Sequence, residues 1–437
     1  VERAAEVAEQ IGYPVLIEAV HGGGGKGIQV VENAGEFEEL FHRVGIEARS
    51  AFGNGDVYLE KYVTSLKHIE AQLLRDTHGN TKVIGIRDCS VQRDKQKVIE
   101  ESGSPHLPQH LLDEVLRSTA ELANEVGYVG AGTVEFIFDL KNNAVYFMEM
   151  NTRLQVEHPV TEWTSGVNIV AEQFRIASGE SIADLQVTET GYAVEARINA
   201  ERIVVQGDGG LAFRPHPGKV LNCHFPEEED VEVIAAVATD TFVSPYYDSM
   251  VAQVIVHSDN RENAAAKLEA YLARVELTGI CTNIPLLRRI LKDDGFHRAE
   301  YDTNYLPELL ARTDIEALVN EIEAGAGATS EGISRQSVMI ADSDELKVLA
   351  PATAIFYSTP SPSEPEYVQV GDKVGLGQTL CQLEAMKIFT PLTLADFNGE
   401  AQIYDPALSY EVTRVNMNNG QQVNVGDLLF VVKPVAS

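Results

Sequence analysis

The sequence changes character between residues 313 and 345. There a short helical run gives way to Ala, Gly and Ser, in ALVNEIEAGAGATSEGISRQSV, which is a composition typical of flexible linkers. Before this stretch, β-rich runs such as HIEAQLL and GTVEFIFD alternate with helical runs such as HLLDEVLRSTAELANEV; after it, strand and turn patterns follow one another. The pattern predicts an α+β region, a linker over 313–345 and a separate all-β domain over 346–437.

Charge and composition exclude two classes of partner. The 437-residue chain has a formal net charge of -32, whereas binding to a nucleic-acid backbone requires a basic surface. Its apolar runs fall short of the roughly 18 residues of a membrane span, and its first residues form a helical pattern rather than a secretory signal. We therefore expect a cytoplasmic protein that binds neither nucleic acid nor membrane. A start at Val1 rather than Met also leads us to expect that an upstream segment is missing.

The all-β tail contains an internal repeat. The segments GDKVGLGQTL at 371–380 and GQQVNVGDLL at 420–429 share Gly, Val, Gly and Leu at matched positions, which predicts two similar hairpins related by an approximate two-fold axis. The first copy continues into CQLEAMKIFTPL, so Lys387 would lie in a tight turn that projects into solvent. The repeat by itself leaves an ordinary surface lysine as the alternative to a functional one.

Four consecutive glycines, Gly22 to Gly25, separate two runs of strand-forming residues in YPVLIEAVHGGGGKGIQVV. A dinucleotide-binding fold would require a helix directly after the glycines, but IQVV continues as strand. A P-loop would require Ser or Thr after Lys26, where Gly27 stands. The remaining prediction is a glycine-rich hairpin whose backbone N–H groups bind phosphate oxygens, with a merely flexible loop as the alternative.

The stretch EMNTRLQVEH alternates polar and apolar residues. In an extended chain one face would carry Glu149, Asn151, Arg153, Gln155 and Glu157. Glu135 would lie roughly opposite Glu149 if the chain turns back at Asn142 and Asn143. Because two facing carboxylates repel each other unless a cation lies between them, this pattern predicts a divalent metal site, with a solvated edge strand as the alternative.

Several longer motifs resemble the biotin carboxylase family of ATP-grasp enzymes. They are RDCSVQRDKQKVIEE, EMNTRLQVEHPVTE, AVEARINAE and SPYYDSM, in that order. The tail around EAMK resembles a biotin carboxyl carrier domain, and APATAIFYSTPSPSEPEY resembles the "thumb" of the acetyl-CoA carboxylase type. The resemblance covers essentially the whole chain but not the family's Rossmann-like first domain. It implies an α+β ATP-grasp core, with a flap domain at 1–62 and a C-terminal carboxylase domain at 63–312, followed by a flattened β-barrel biotinyl domain.

The resemblance also implies roles for individual residues. The ATP-binding positions would be Gly22, Gly23, Gly24, Gly25, Lys26, Glu60, Lys61, His68 and Gln92; the ligands of Mg²⁺ or Mn²⁺ would be Glu135, Glu149 and Asn151; the bicarbonate pocket would be Lys97, Arg153, Gln155 and Val156. Glu157 would be the general base that takes the bicarbonate proton, so that bicarbonate attacks the γ-phosphate of ATP and forms carboxyphosphate. Arg197 would stabilise the enolate oxygen of biotin, with Lys97 and Arg153 completing the catalytic set.

Partners follow from the same resemblance. Biotin would be attached covalently to Lys387 by a biotin protein ligase, and its carboxylated form would travel to separate carboxyltransferase subunits. The thumb-like segment favours acetyl-CoA as the acceptor, and therefore fatty acid biosynthesis. The carboxylase core would form a homodimer.

The sequence departs from the family pattern near the expected ATP phosphates. Glu18 stands where the family has a lysine, and reversing a charge beside a triphosphate costs a few kcal/mol at a partly screened site. QRDKQK replaces the family's RRHQK, so Lys95 would have to restore the cation. We favour an active enzyme, and the alternative is a catalytically impaired carboxylase scaffold that carries a functional biotinyl domain. A different ATP-grasp ligase would have no use for EAMK.

Overall fold

The computed structural model describes residues 1–23, 26–93, 95–205, 210–327, 345–360, 364–386, 388–397, 405 and 408–435. The chain divides into two compact units, one of residues 1–67 with 137–146 and the other of residues 68–136 with 147–437. The helices are α1 (Glu2–Ile11), α2 (Ala34–Phe52), α3 (Gln109–Glu125), α4 (His158–Ser165), α5 (Ile169–Ala177), α6 (Arg261–Leu272), α7 (Ile284–Lys292), α8 (Asp294–His297), α9 (Tyr305–Ala311) and α10 (Ile315–Gly325), with a 3₁₀ helix at Leu394–Phe397.

The strands form two sets, one before residues 328–344 and one after them. Before these residues lie β1 (Val15–Gly23), β2 (Lys26–Val31), β3 (Val57–Lys61), β4 (Leu66–Arg75), β5 (Thr81–Arg93), β6 (Gln96–Ser102), β7 (Gly130–Asp139), β8 (Ala144–Asn151), β9 (Tyr192–Asn199), β10 (Glu201–Val205), β11 (Leu211–Pro215), β12 (Gly218–Lys219), β13 (Asn222–His224), β14 (Val231–Ala235), β15 (Phe242–Val243), β16 (Met250–Ser258) and β17 (Glu276–Thr278). After them lie β18 (Leu346–Leu349), β19 (Ala354–Tyr357), β20 (Lys373–Val374), β21 (Cys381–Ala385), β22 (Ile388–Leu392), β23 (Ser409–Val415), β24 (Gln421–Val423) and β25 (Leu428–Val435).

The first unit is built on a three-stranded sheet in the order β2-β1-β3. Its apolar core contains Val15 and Ile17 from β1 together with Phe37 from α2. Asn33 caps α2, since its side chain accepts a hydrogen bond from the Gly35 N–H at 3.1 Å. The residues after the glycines form β2, which confirms that strand rather than helix follows the glycine run.

The largest sheet has eight strands in the order β14-β16-β9-β6-β5-β4-β7-β8, and most of its residues belong to the second unit. Strands β6 and β9 are antiparallel neighbours near its centre, and α6 packs on β9 and β16. The predicted hairpin at Asn142 and Asn143 is present, because β7 ends at Asp139 and β8 begins at Ala144. The sheet therefore brings the polar residues of β4, β5, β6, β7 and β9 onto one platform.

The tail forms two four-stranded sheets, in the orders β18-β25-β23-β20 and β22-β21-β19-β24. The first repeat copy contributes β20 to one sheet and β21 to the other, and the second copy contributes β24 and β25 in the opposite sense. This exchange is the arrangement that an approximate two-fold axis produces, as the repeat predicted. The predicted hairpins are wrong, because the two strands of each copy lie in different sheets. Phe356 and Phe430 pack in its core with ring centroids 5.7 Å apart.

The first repeat leads into the hairpin between β21 and β22. Ala385 pairs with Ile388, so two residues form the turn, and the second of them, Lys387, lies outside the described residues. Met386 is buried, and its N–H donates to the Pro245 carbonyl at 2.6 Å, while the Tyr246 hydroxyl donates to Gln422 at 2.6 Å. Met386 thus contacts the SPYYDSM segment.

The segment predicted as a linker is helical in its first part. Helix α10 covers Ile315–Gly325 and buries Leu318 and Ile322, so the linker interpretation is wrong for these residues. Residues 328–344 lie outside the described part of the chain. Among the described residues, no helix combines the length and apolar composition needed to cross a membrane.

Candidate active site

Two carboxylates converge on one amide at the β7–β8 hairpin. The Asn151 side-chain N–H₂ donates to Glu135 Oε1 at 2.7 Å and to Glu149 Oε1 at 3.0 Å. Glu135 is buried, whereas Glu149 is exposed. The predicted facing of Glu135 and Glu149 across the hairpin is therefore present in the fold.

The extended conformation predicted for EMNTRLQVEH is wrong beyond its third residue. Strand β8 ends at Asn151, and the chain turns before α4, which has Pro159 in its first turn. Gln155 and Glu157 nevertheless reach the interior, with 4% and 2% of their surface exposed. Arg153 lies at the surface, where its Nη1 donates to the Leu154 carbonyl at 3.3 Å.

Lys97 on β6 lies close to three carboxylates of the site. Its ammonium group donates hydrogen bonds to Glu70 and Glu157 and lies 3.9 Å from Glu135 Oε1. Burial alone lowers the pKa of Lys97, but Cys89 and these carboxylates raise it above the ordinary value. Lys97 is therefore a permanent positive charge among carboxylates.

Arg87 and Glu70 form a buried layer beneath Lys97. Both side chains are fully buried, and Arg87 Nη2 lies 2.9 Å from Glu70 Oε2 and donates to Gln155 Oε1 at 2.9 Å. Burial raises the pKa of Glu70, but the charges of Arg87 and Lys97 outweigh it and lower the pKa. Our sequence analysis missed both residues, although Glu70 follows His68 by two positions on one face of β4 and Arg87 opens the RDCSVQRDKQK motif.

Replacing Arg87 by Ala should lower the free energy of unfolding by about 3 kcal/mol, because it strips a buried carboxylate of one partner. This is the lower end of the usual range, since Lys97 still contacts Glu70. Urea unfolding measures the change. The control is Arg117→Ala, which removes the exposed ion pair with Glu121. This substitution should lower the free energy of unfolding by less than about 0.5 kcal/mol. Equal effects of the two substitutions would contradict the buried layer.

The predicted ATP-binding residues fall in both units. In the second unit, His68 Nε2 lies 2.7 Å from Glu135 Oε2, and the Gln92 amide donates to the Cys89 carbonyl at 3.1 Å. In the first unit, Glu60 and Lys61 end β3, and Lys61 donates to the Gly12 carbonyl at 2.5 Å. Gly22 and Gly23 end β1 and Lys26 begins β2, whereas Gly24 and Gly25 lie outside the described residues.

The donor set at the hairpin fits a divalent cation. Mg²⁺ prefers carboxylate and amide oxygens, which Glu135, Glu149 and Asn151 offer. Burial raises the pKa of Glu135, but the hydrogen bond and charge of His68 outweigh burial and lower the pKa, so this ligand stays ionised. His68, Glu70 and Glu135 also have ligand atoms within 4.8 Å of one another, which makes Glu70 a further candidate that the sequence analysis did not name.

Arg197 on β9 connects the site to the sheet interior. Its Nε donates to Glu100 Oε1 at 2.5 Å, and its Nη2 lies 3.0 Å from Glu157 Oε2. Glu157 is thus held between Lys97 and Arg197. Next to Glu157, the Val156 carbonyl accepts a hydrogen bond from Gln253 Nε2 at 2.8 Å. The fold brings Lys97, Gln155, Glu157 and Arg197 together and leaves Arg153 outside this cluster.

Three family models match the chain. Residues 1–185 match the ATP binding domain of the carbamoyl-phosphate synthase L chain, residues 195–308 match the biotin carboxylase C-terminal domain, and residues 347–432 match a domain described as biotin-requiring enzyme. With the fold and the lysine–carboxylate site, these matches define an ATP-grasp enzyme core joined to a biotinyl-type domain.

Individual relatives show which ATP-grasp enzymes this chain is similar to. Biotin carboxylase 1 of Bacillus subtilis is 43% identical over 311 residues, which are 70% of this chain and 67% of that protein. The crystal structure of a Campylobacter jejuni biotin carboxylase superposes with a TM-score of 0.64 at 38% identity, covering 70% of this chain and 67% of that one. The biotin carboxylase domain dimer of Hydrogenobacter thermophilus 2-oxoglutarate carboxylase, in complex with MgADP, ADP and bicarbonate, gives 0.63 at 42% identity, covering the same shares of the two chains.

The chain therefore belongs to the biotin carboxylase family, whose reaction is the ATP-dependent carboxylation of biotin. It joins that catalytic core to a carrier-type domain in one polypeptide. Both parts of the resemblance seen in the sequence are confirmed.

Proposed function

We propose that this chain carboxylates biotin carried on its own Lys387 and serves as the carboxylase and carrier component of an acyl-CoA carboxylase, with acetyl-CoA as the favoured acceptor. The observation that carries the proposal is the convergence of Lys97 and Arg197 on the buried Glu157 carboxylate. A base held between two cations suits a reaction in which both the substrate and the developing charge are anionic.

In the proposed mechanism, Lys97 and the Gln155 amide hold bicarbonate beside Glu157. Glu157 takes the bicarbonate proton, and the oxygen that loses it attacks the γ-phosphate of ATP, releasing ADP and forming carboxyphosphate. Carboxyphosphate would then decompose to CO₂ and phosphate, and this phosphate would take the ureido N–H proton of biotin. Arg197 would hold the ureido oxygen, which becomes negative, while the deprotonated ureido nitrogen bonds to the carbon of CO₂. By resemblance to the family, the residues that would contact the nucleotide are His68, Gln92, Glu60, Lys61 and the glycine-rich residues 22–26. Arg153 would complete the bicarbonate pocket only after moving inward from its surface position.

Two groups that the protein binds would supply the remaining chemistry. A divalent cation, Mg²⁺ or Mn²⁺, held by Glu135, Glu149 and Asn151, would neutralise phosphate oxygens. Biotin on Lys387, attached by a biotin protein ligase, would supply the nucleophilic nitrogen. The carboxyl group would then pass to separate carboxyltransferase subunits in the cytoplasm, and the carboxylase core would pair as a homodimer, as in the Hydrogenobacter domain dimer.

The choice of acceptor rests on the thumb-like segment of the tail. Relatives of similar identity include pyruvate carboxylase 1 of Caenorhabditis elegans, at 41% over 70% of this chain, and a 2-oxoglutarate carboxylase small subunit, at 42% over 70%. The core is therefore compatible with several acceptors, and the carboxyltransferase selects one. Supplying the carboxylated chain with each candidate carboxyltransferase and its acceptor tests this: acetyl-CoA should be carboxylated, and transfer to pyruvate alone would refute the assignment.

A catalytically impaired scaffold remains the second candidate, and Glu18 is the observation that favours it. Glu18 on β1 lies opposite Tyr58 on β3, and burial together with the hydrogen bond to Glu18 raises the pKa of Tyr58 to about 12. Burial and the charge of Glu18 also raise the pKa of Glu60. A negative charge at this position disfavours a bound triphosphate.

Bicarbonate-dependent ADP release with free biotin and Mg²⁺, from the protein in its full reading frame, separates the two candidates. We expect turnover by the parent. The KM for ATP should be about tenfold lower in Glu18→Lys, because the substitution removes a negative charge that disfavours the bound triphosphate. A tenfold change corresponds to about 1.4 kcal/mol. The exposed substitution Glu38→Lys on α2 is the control and should leave KM unchanged. An inactive parent that recovers turnover in Glu18→Lys would establish the impaired scaffold instead.

A further inference from the structure

Two buried glutamates lie directly behind Arg197. Glu100 on β6 and Glu195 on β9 are both 0% exposed, and they are paired across the two antiparallel strands. The Oε2 atom of each is buried and has no hydrogen-bond partner among the described residues. A buried carboxylate oxygen without a partner is costly, so two of them on neighbouring side chains require an explanation.

The register places the two unpartnered oxygens within reach of each other. Residues directly opposite in an antiparallel pair share one face of the sheet, with Cβ atoms about 4.5–5.5 Å apart. The remaining oxygen of each residue is already engaged: Arg197 Nε donates to Glu100 Oε1 at 2.5 Å, and Gln253 Nε2 donates to Glu195 Oε1 at 2.8 Å. The atoms of the pair without a hydrogen-bond partner among the described residues are thus the two Oε2 atoms.

We propose that Glu100 and Glu195 share one proton, and that this carboxyl–carboxylate pair positions Arg197 for the reaction. The proton lies on Glu195, whose O–H donates to Glu100 Oε2. Glu100 stays ionised because Arg197 is its direct partner, whereas the partner of Glu195 is the neutral amide of Gln253. One proton thus supplies both oxygens with a hydrogen bond and removes the repulsion of two facing charges.

The groups around the pair agree with a single shared charge. Glu100 faces Arg197, Lys97 and Glu157; Glu195 faces Glu100, Arg197 and Glu157; the neutral thiol of Cys89 lies nearby on β5. Burial raises the pKa of both glutamates, and the charge of Glu100 raises that of Glu195 further, against the opposing effect of Arg197. The pair therefore holds its proton at a pH where ordinary glutamates are ionised.

The consequence for catalysis rests on the proposed function. Arg197 contacts Glu100 on one side and Glu157 on the other, so its position depends on the charge at each. With one negative charge in the pair, Arg197 stays available to the ureido oxygen of biotin. Loss of the shared proton at higher pH adds a second charge behind Arg197 and draws it away from the substrate.

Infrared spectroscopy of the whole chain tests the shared proton without any turnover. A protonated carboxyl group absorbs apart from ionised carboxylates, and we expect such a band at neutral pH in the parent. Glu195→Gln should remove it while retaining a hydrogen-bond donor to Glu100, and the exposed substitution Glu121→Gln should leave it unchanged. A folded parent without the band, or a band that persists in Glu195→Gln, would overturn the proposal.

The pH profile of kcat for ADP release with free biotin tests the positioning role. The kcat of the parent should fall as the pH rises and the pair gives up its proton. The Glu195→Gln variant has no such proton to lose, so it should retain at least half of its kcat over the same pH range. The KM for ATP should stay within twofold. An alkaline limb identical in both proteins would refute the positioning role. A parent that shows the band but no biotin-dependent turnover would uphold the shared proton and refute the proposed function.

Discussion

The Glu157→Gln variant should lose bicarbonate-dependent ADP release by roughly 10²–10⁴-fold, the range typical for removal of a general base. Glutamine preserves the size of the side chain and one oxygen for Lys97 or Arg197, but it cannot accept the bicarbonate proton. Glu157 is 2% exposed and is held by both cations, so bulk water has little access to its carboxylate. The loss should therefore appear in kcat.

The measurement is steady-state ADP release at saturating ATP, bicarbonate and free biotin, with nucleotide affinity measured separately. The KM for ATP should change less than threefold, because the nucleotide contacts are assigned to His68, Gln92 and the first unit. The exposed substitution Glu189→Gln serves as control and should keep full activity. A Glu157→Gln variant within threefold of the parent kcat would show that another group takes the proton.

The Lys387→Arg variant should lose biotin attachment completely. Biotinylation forms an amide with the lysine ε-amine, and an arginine guanidinium stays protonated and cannot replace it as a nucleophile. Strands β21 and β22 pair through backbone groups at Ala385 and Ile388, and this pairing uses no side chain of residue 387. The substitution should therefore leave the barrel folded.

Intact mass after incubation with biotin, ATP and a biotin protein ligase gives the result directly. The parent should gain the mass of one biotin, Lys387→Arg should gain none, and Lys373→Arg should behave as the parent because Lys373 lies on β20, at the start of the same repeat copy. Activity with free biotin should be unchanged in all three proteins. Attachment of biotin to the Lys387→Arg variant would show that the attachment site is a different residue.

The tail was the part of the fold most fully predictable from sequence. Matched Gly, Val, Gly and Leu positions identified two equivalent units, and the strands β20, β21, β24 and β25 occupy equivalent places in the two sheets. The turn at 386–387 follows from the same repeat. The pairing partners of these strands were not predictable locally, because they lie far away in the sequence: β20 pairs with β23, and β24 pairs with β19.

The catalytic core was predictable residue by residue only through its motifs. Arg87, Glu100 and Glu195 are buried ionisable residues whose partners lie on other strands. The pairs Arg87–Glu70 and Arg197–Glu100 are separated by 17 and 97 residues in the sequence. A single sequence carries no signal for such pairing. The extended prediction for EMNTRLQVEH failed because Pro159 favours the first turn of α4, so the chain leaves the sheet after Asn151.

The helical run at the start of the predicted linker was visible in the sequence, and it corresponds to α10. Leu318 and Ile322 are four residues apart and form the buried side of α10, the spacing of an amphipathic helix. The error was to include this run in the linker, because the Ala, Gly and Ser residues begin only after it.

The most direct test of the whole account is transfer of label from bicarbonate to the chain's own biotin. The biotinylated protein in its full reading frame is incubated with ATP, Mg²⁺ and labelled bicarbonate, then separated from small molecules and counted. We predict ATP-dependent label that avidin blocks and that Glu157→Gln and Lys387→Arg both abolish. A biotinylated parent that stays unlabelled, yet accepts label when a separate active biotin carboxylase is added, would contradict the account and leave the chain as a carrier on an inactive scaffold.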